Sequence, residues 1–262
     1  MVITISCMAD EQNGSSIKGL MAMLIDGDNA QAGFIKEILA EATKYGRITI
    51  RRIYGDWTTP SMNGWKECLQ ENAIQPIQQF RFTVGKNATD SAMIIDTMDI
   101  LHSGDIASYC LVTSDSDYTR LATRLRESGA FVLGIGRRST PKAFTSACDV
   151  FVFIENLRAG LDDVAPASNK KQTSKGKAAL KEGLPLLRKA FELTVQDDGW
   201  AYLSSVGGSL RSLDPTFDHR TFGCPTLRAL VASFSDEIEL REEKKPSGNM
   251  VVSMKLNSIP SR

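Results

Sequence analysis

The 262-residue sequence predicts an α/β protein, in which a parallel sheet flanked by helices is followed by a small winged-helix-like α+β unit. Six short apolar runs alternate with helical patterns over residues 20–153, and this repeating order implies a parallel sheet with right-handed crossovers. After residue 161 the composition shifts to Ala, Ser, Lys and Gly, and three helical patterns and a hairpin then follow. The chain is therefore predicted to contain two folded units joined by a linker.

Each strand of the first unit is predicted from a short apolar run, and each helix from apolar residues that recur every three or four positions. In the first helix, for example, Phe34, Ile38 and Leu39 fall on one face. The predicted strands are residues 20–25, 48–54, 74–77, 109–112, 131–136 and 149–153. The predicted helices are residues 34–42, 65–69, 89–102, 121–129 and 141–147.

The remaining segments complete the predicted organisation. Residues 1–19 are polar and irregular and are expected to be a disordered extension, which leaves the first domain at residues 20–160. Residues 161–182 carry five lysines and are expected to be a basic, flexible linker. The second domain, residues 183–257, is predicted to have helices at 184–194, 199–210 and 226–231, and a hairpin with strands at 238–241 and 250–254.

Composition narrows the classes of protein. Lys plus Arg and Asp plus Glu are both 31, so global charge gives no argument for nucleic-acid binding. No apolar run approaches the ~20 residues of a membrane span, so no membrane partner is expected. Five cysteines without a Cys-x-x-Cys pair favour a reducing cytoplasm and argue against a disulfide framework or structural zinc. The only two histidines, His102 and His219, are far apart in the chain, which disfavours histidine-pair catalysis.

Four aspartates lie where the predicted topology brings segments together. Asp26 follows the first strand, Asp115 and Asp117 follow the strand at 109–112, and Asp90 lies in the first turn of a helix. Ligands of open parallel sheets bind at the carboxyl ends of the strands, so these carboxylates are expected on one edge. Gathered carboxylates repel one another unless a divalent ion binds, and an all-oxygen set favours Mg²⁺ or Mn²⁺ over zinc. Such an ion suits metal-assisted hydrolysis of a phosphodiester.

Each aspartate also has a structural interpretation. Asp-Gly is a common turn former, so Asp26 or Asp28 alone would more often be structural, and Asp117 alone is as well explained as the start of a helix. Asp90 alone would be explained by the helix dipole. Asp96 is six residues from Asp90, about 240° around the helix, so the two do not share a face. We therefore favour Asp90 as the metal ligand and treat Asp96 as the less favoured candidate.

Five further residues are candidates for substrate binding. Asn29, three residues after Asp26, is placed to orient a ligand by hydrogen bonding. The basic residues near the acidic edge are Lys86, Arg137, Arg138 and Lys142. They are either a solvated loop or the cations that a phosphate chain requires.

Two sets of motifs carry a resemblance to known families. In the first unit they are Leu24-Ile25-Asp26-Gly27-Asp28-Asn29, Lys86 with Thr89-Asp90, Thr113-Ser114-Asp115-Ser116-Asp117-Tyr118 and Ala147-Cys148-Asp149. With these stretches, residues 20–157 resemble the NYN domain, the LabA-like branch of the PIN-like nuclease superfamily. In the second unit they are Gly199-Trp200-Ala201, residues 203–207 and residues 222–230. With them, residues 184–256 resemble an OST-HTH (LOTUS) domain.

The resemblance implies a PIN-like sheet with an acidic pocket for Mg²⁺ or Mn²⁺, RNA as the substrate, and RNA binding by the C-terminal domain. Asp26, Asp90, Asp115 and Asp117 match the acidic set, and Asn29 matches the asparagine that follows the first acid. The expected activity is that of a metal-dependent endoribonuclease, which cleaves RNA phosphodiesters with metal-activated water. RNA is expected to contact the nuclease edge, the basic linker and the C-terminal domain. The flexible linker would let the C-terminal domain search for structured or single-stranded RNA.

Two alternatives stay open on the sequence. One is a catalytically weak or inactive RNA-binding adaptor or regulator that retains the acidic fold. The other is a phosphatase of the haloacid dehalogenase kind, suggested by Asp26-Gly27-Asp28, although Asn29 and Ala30 stand where that motif continues to a threonine. A metal-dependent cleavage assay separates the first from a nuclease, and a phospho-aspartate trapped at Asp26 would support the second.

Overall fold

The computed structural model describes residues 19–80, 88–159, 174–244, 248 and 250–257. Of the predicted N-terminal extension, only residue 19 lies among them. Six strands form one sheet in the first unit: β1 (Leu20–Asp26), β2 (Arg47–Gly55), β3 (Gln75–Gln78), β4 (Ser108–Val112), β5 (Phe131–Gly136) and β6 (Val150–Phe153). Its helices are α1 (Ile35–Ala42), α2 (Lys66–Glu71), α3 (Ala88–Ser103), α4 (Thr119–Glu127), α5 (Lys142–Ala147) and α6 (Ile154–Ala159).

The sheet is parallel throughout, with strand order β3-β2-β1-β4-β5-β6. The chain winds from β1 outward through β2 to β3, then returns to the other side of β1 and winds outward again through β4, β5 and β6. The direction of winding therefore reverses between β1 and β4. At such a switch point the connections leave in opposite directions and open a crevice at the carboxyl ends of the two strands.

The alternation of side chains along β1 decides what lies under that crevice. Met21, Met23 and Ile25 pack in the apolar layer that also contains α1, and Ala22 and Leu24 pack in the layer that contains α3 and α4. Because successive side chains of a strand point to opposite faces, the last residue of β1, Asp26, points to the α3 side. The same apolar periodicity that buries β1 thus places a carboxylate under the crevice.

The second unit contains α7 (Ser174–Glu192), β7 (Ala201–Tyr202), α8 (Leu203–Leu213), α9 (Leu227–Ala232), β8 (Ile238–Lys244) and β9 (Met250–Leu256). Its strands form an antiparallel sheet in the order β7-β9-β8. The predicted hairpin is thus β8–β9, joined by a third strand. The sequence correctly predicted the fold of both units, a helix-flanked parallel sheet followed by a small α+β region.

Two boundaries differ from the prediction. The helix α7 begins at Ser174, inside the range predicted as linker, because residues 174–182 are rich in Ala, Leu, Lys and Glu, which favour helix. The helix predicted at 199–210 begins only at Leu203, because Ala201 and Tyr202 pair with β9. The rest of the predicted linker, residues 160–173, lies outside the described residues. Among the helices that the structure describes, none combines the length and apolarity that crossing a membrane requires.

Candidate metal centre

Three aspartates meet at the carboxyl edge of the sheet. One carboxylate oxygen from each of Asp90, Asp115 and Asp117 lies within 4.8 Å of the others. Asp90 comes from the first turn of α3, Asp115 from the turn after β4, and Asp117 from the short 3-10 helix Ser116–Tyr118. Asp90 and Asp115 are half-buried and Asp117 is exposed, so the group is open to solvent. An open, all-oxygen donor set of this kind fits a hard divalent cation such as Mg²⁺ or Mn²⁺.

The turn after β4 holds two of these carboxylates in place. The Asp115 backbone N–H donates to the hydroxyl of Thr113, at an N–O distance of 3.1 Å. The Asp115 carboxylate in turn accepts the backbone N–H of Asp117 at 2.9 Å, which caps the 3-10 helix. Side-chain caps of this kind satisfy N–H groups that have no partner inside the helix. The capping bond uses one lone pair of Oδ1 and leaves the carboxylate able to bind an ion.

Asp26 lies beneath this group and is fully buried. Its Oδ1 accepts the backbone N–H groups of Asp28 (3.1 Å) and Asn29 (3.3 Å). Its Oδ2 accepts the Asn29 side-chain amide (2.7 Å) and the Thr113 hydroxyl (2.9 Å). Among the described residues, Asp26 is not a member of the close carboxylate group. Its four donors show that Asp26 organises the turn that carries Asn29 and, through Thr113, the turn that carries Asp115.

The pKa values of Asp26 and Asp90 are both raised above that of an ordinary aspartate. Burial raises the pKa of Asp26, and the charge of Asp90 raises it further, against hydrogen bonds from Asn29 and Thr113. Burial also raises the pKa of Asp90, against the hydrogen bond that the Tyr118 hydroxyl donates at 2.8 Å, and the charges of Asp115, Asp117 and Asp28 add to the increase. Carboxylates that raise each other's pKa are stabilised by a cation among them, so the residues present fit a divalent ion.

The other predicted residues lie in different surroundings. Asn29 is half-buried and its side-chain amide donates to Asp26. The Arg137 backbone N–H donates to the Ser114 hydroxyl at 2.9 Å, and the Arg137 side chain is exposed. The Arg138 guanidinium instead contacts Asn156 at 2.8 Å and the Phe153 ring. Lys142 is exposed at the start of α5. Lys86 lies outside the described residues.

Two other carboxylates are placed apart from the three. Asp96 accepts hydrogen bonds from the Arg52 guanidinium, at 2.5 Å, and from the Tyr54 hydroxyl, so it is an ion-pair partner of β2. Asp28 is exposed in the turn after β1. Asp90 and Asp96 thus have different surroundings, as expected from their spacing of six residues along the helix.

Two residues without a predicted role support the site. Thr113 bridges Asp26 and the Asp115 backbone through one hydroxyl. Tyr118 is fully buried, and its hydroxyl holds Asp90. A threonine at the end of a buried strand and a tyrosine next to an acid are visible in the sequence. Their partners are far away in the chain, however, and only the fold identifies them.

Two protein-family models match the chain. The family model of the NYN domain matches residues 20–155, which is more than half of the chain. The chain belongs to the NYN domain family. The family model of the OST-HTH/LOTUS domain matches residues 172–250, so both predicted families are confirmed. A comparison with curated proteins found no match to the chain.

Two solved structures are similar to parts of this NYN protein. A protein of unknown function from Vibrio parahaemolyticus is 19% identical, with 55% of this chain and 96% of that chain covered and a TM-score of 0.44. An uncharacterized protein from Nitrosomonas europaea is 27% identical, with 37% of this chain and 87% of that chain covered and a TM-score of 0.28.

Metal binding to the three-aspartate group of the NYN domain should appear as thermal stabilisation. A ligand at about 100 times its Kd stabilises the folded state by roughly 2.7 kcal/mol. For a chain of this size that corresponds to a Tm increase of about 5–10 °C. We expect Mn²⁺ to raise the Tm of the wild type and to have much less effect on Asp90→Asn.

The matched control is Asp99→Asn, which removes the same charge from an exposed position of α3. It should keep the full Mn²⁺ shift. If Asp90→Asn also keeps the full shift in differential scanning calorimetry, the ion binds elsewhere.

Proposed function

We propose that the protein is a divalent-metal-dependent endoribonuclease, with Mg²⁺ or Mn²⁺ held by Asp90, Asp115 and Asp117. The observation that carries the proposal is the close group of three carboxylates in an NYN domain, on a chain that also has an OST-HTH/LOTUS domain. NYN and PIN-like nucleases generally use divalent metals, and both domains are associated with RNA. The proposal therefore joins a cation site with a domain suited to hold the substrate.

Each residue of the candidate site has a role in this proposal. When bound, the ion supplies positive charge that polarises a phosphate and lowers the pKa of water. Asp90, Asp115 and Asp117 would hold the ion, and the Tyr118 hydroxyl donates to one carboxylate oxygen of Asp90 and so fixes its orientation. Asp26 keeps Asn29 and Thr113 in position, and Asn29 orients the substrate. Arg137, whose backbone is bonded to Ser114, and Lys142, exposed at the start of α5, would attract the phosphates that flank the cleaved bond.

The phosphatase alternative has little support. A nucleophilic aspartate needs an accessible oxygen, whereas Asp26 is fully buried and accepts two hydrogen bonds on each oxygen. The adaptor alternative differs from the nuclease only in turnover, so it is tested by the same experiment.

The test is cleavage of end-labelled single-stranded RNA with Mn²⁺ by the full chain. We expect Asp115→Asn to reduce the rate by about 100-fold or more, because even the partners of metal ligands contribute roughly 10–100-fold. Asp99→Asn should cleave like the wild type, and a chelator should stop cleavage by both. If the wild type and both variants bind RNA equally well and none of them cleaves it, the RNA-binding adaptor is favoured over the nuclease. Unchanged cleavage by Asp115→Asn would place the activity outside this site.

A further inference from the structure

The C-terminal unit is in direct contact with the NYN domain through the segment that follows α8. The backbone N–H of Phe151, in β6, donates to the carbonyl oxygen of Pro215 at 2.8 Å. Since β6 is the last strand of its sheet, its outer edge has N–H groups without a neighbouring strand. The C-terminal unit thus closes part of an open sheet edge.

An arginine crosses the boundary between the units. The Arg220 guanidinium donates to both oxygens of Glu41 in α1, at 2.9 and 3.1 Å. It also donates to both oxygens of Asp218 in its own unit, at 2.7–3.0 Å. The planar fork of arginine suits such paired contacts, which hold direction as well as charge. We call Glu41, Asp218 and Arg220 the junction triad.

The junction triad is charged, and both of its carboxylates are buried. Glu41 is 4% exposed and Asp218 is 9% exposed. Burial opposes the charged forms, yet hydrogen bonds from Arg220 hold the pKa of both carboxyls below their ordinary values, and Lys44 helps at Glu41. Separation of the units would break both Arg220–Glu41 bonds, which are directional and lie between buried groups, so the junction triad specifies one docked arrangement.

A second contact leads from the junction toward the acidic edge. The side-chain amide of Asn156, in α6, donates to the Thr221 hydroxyl at 2.9 Å and to Asp218 at 3.4 Å. Its carbonyl oxygen accepts the Arg138 guanidinium at 2.8 Å. Arg138 lies in the loop after β5. The residue before it, Arg137, donates its backbone N–H to Ser114, which is next to Asp115. The docked unit is therefore connected, residue by residue, to the loop that borders the carboxylates.

We propose that the C-terminal unit is permanently docked on the NYN domain through the junction triad and Asn156, and that it does not search on a flexible tether. The docked unit buttresses the basic loop at Arg137 and Arg138 and keeps a constant distance from the acidic edge. The expected consequence is that RNA held by the C-terminal unit is cut at a constant spacing. That consequence rests on the proposed function, whereas the docking itself does not.

The docking is tested by cutting the connection. A protease site replaces part of residues 160–173 in the full chain, and the protein is nicked after folding. The two fragments should elute together in size-exclusion chromatography at micromolar concentration. Glu41→Gln should weaken their association at least 10-fold, and Glu37→Gln, on the same helix, should leave it unchanged. Separation of the nicked wild type, or unchanged association in Glu41→Gln, would overturn the proposal.

Two further measurements keep the test decisive. Glu41→Gln changes the NYN domain and leaves the Arg220–Asp218 pair in place. Thr221→Val changes the C-terminal unit and removes the hydroxyl that accepts the Asn156 amide. Because the two variants lie in different units, misfolding of one unit cannot explain weaker fragment association in both. Circular dichroism confirms that each is folded. On end-labelled RNA, the wild type should give cuts at a narrow range of positions, and Glu41→Gln a broader range. If no protein cleaves RNA, the proposed function fails, while fragment association still decides the docking.

Discussion

Asp26→Ala is expected to abolish cleavage and to lower the free energy of unfolding by about 3 kcal/mol, the upper end of the cost of leaving buried polar groups without partners. Asp26 is fully buried and accepts four hydrogen bonds, so its loss leaves the Thr113 hydroxyl and the Asn29 amide without their acceptor. Urea unfolding measures the stability, and the RNA cleavage assay measures the activity.

The result separates support from direct catalysis. The comparison is Asp117→Ala, at an exposed position, which should reduce cleavage with little change in stability. If Asp26→Ala were as stable as the wild type, its hydrogen bonds would not organise the site, and a role as a direct ligand would be favoured.

Gly136→Ala should be similarly damaging, although the change is a single methyl group. Gly136 is buried at the end of β5, and a Cβ there would overlap the backbone carbonyl of Thr113 and lie 2.9 Å from the Phe151 ring. Backbone cannot move aside as a flexible side chain can, so we expect a loss of about 3 kcal/mol, the upper end for overpacking. Displacement of Thr113 should also reduce Mn²⁺ affinity, measured by calorimetric titration.

Gly208→Ala is the matched control. It lies in α8, and a Cβ there meets no atom within 4 Å. Alanine favours helix over glycine by about 0.5–1 kcal/mol, so this variant should be as stable as the wild type or slightly more stable. Equal stability of Gly136→Ala and Gly208→Ala would show that β4 and β5 can separate without cost, contrary to the packing described above.

Much of the fold was predictable because each signal is local. The apolar run of β1 and the polar turn after it are adjacent in the chain, and the helical spacing in α3 places Asp90 and Asp96 on different faces. The expectation that distant aspartates would gather followed from topology, since parallel strands end at one edge. Three of the four meet closely, and Asp26 lies below them.

The sequence by itself determined the two families, the order of the strands and helices, and which chain segments carry the acidic residues, because periodicity and turn chemistry act over a few neighbouring residues. Only the tertiary structure decided that Thr113 joins Asp26 to Asp115, that Tyr118 holds Asp90, and that the C-terminal unit meets α1. Those contacts join atoms that are 28 to 179 residues apart in the chain. Their strength depends on burial and direction, which no local pattern encodes.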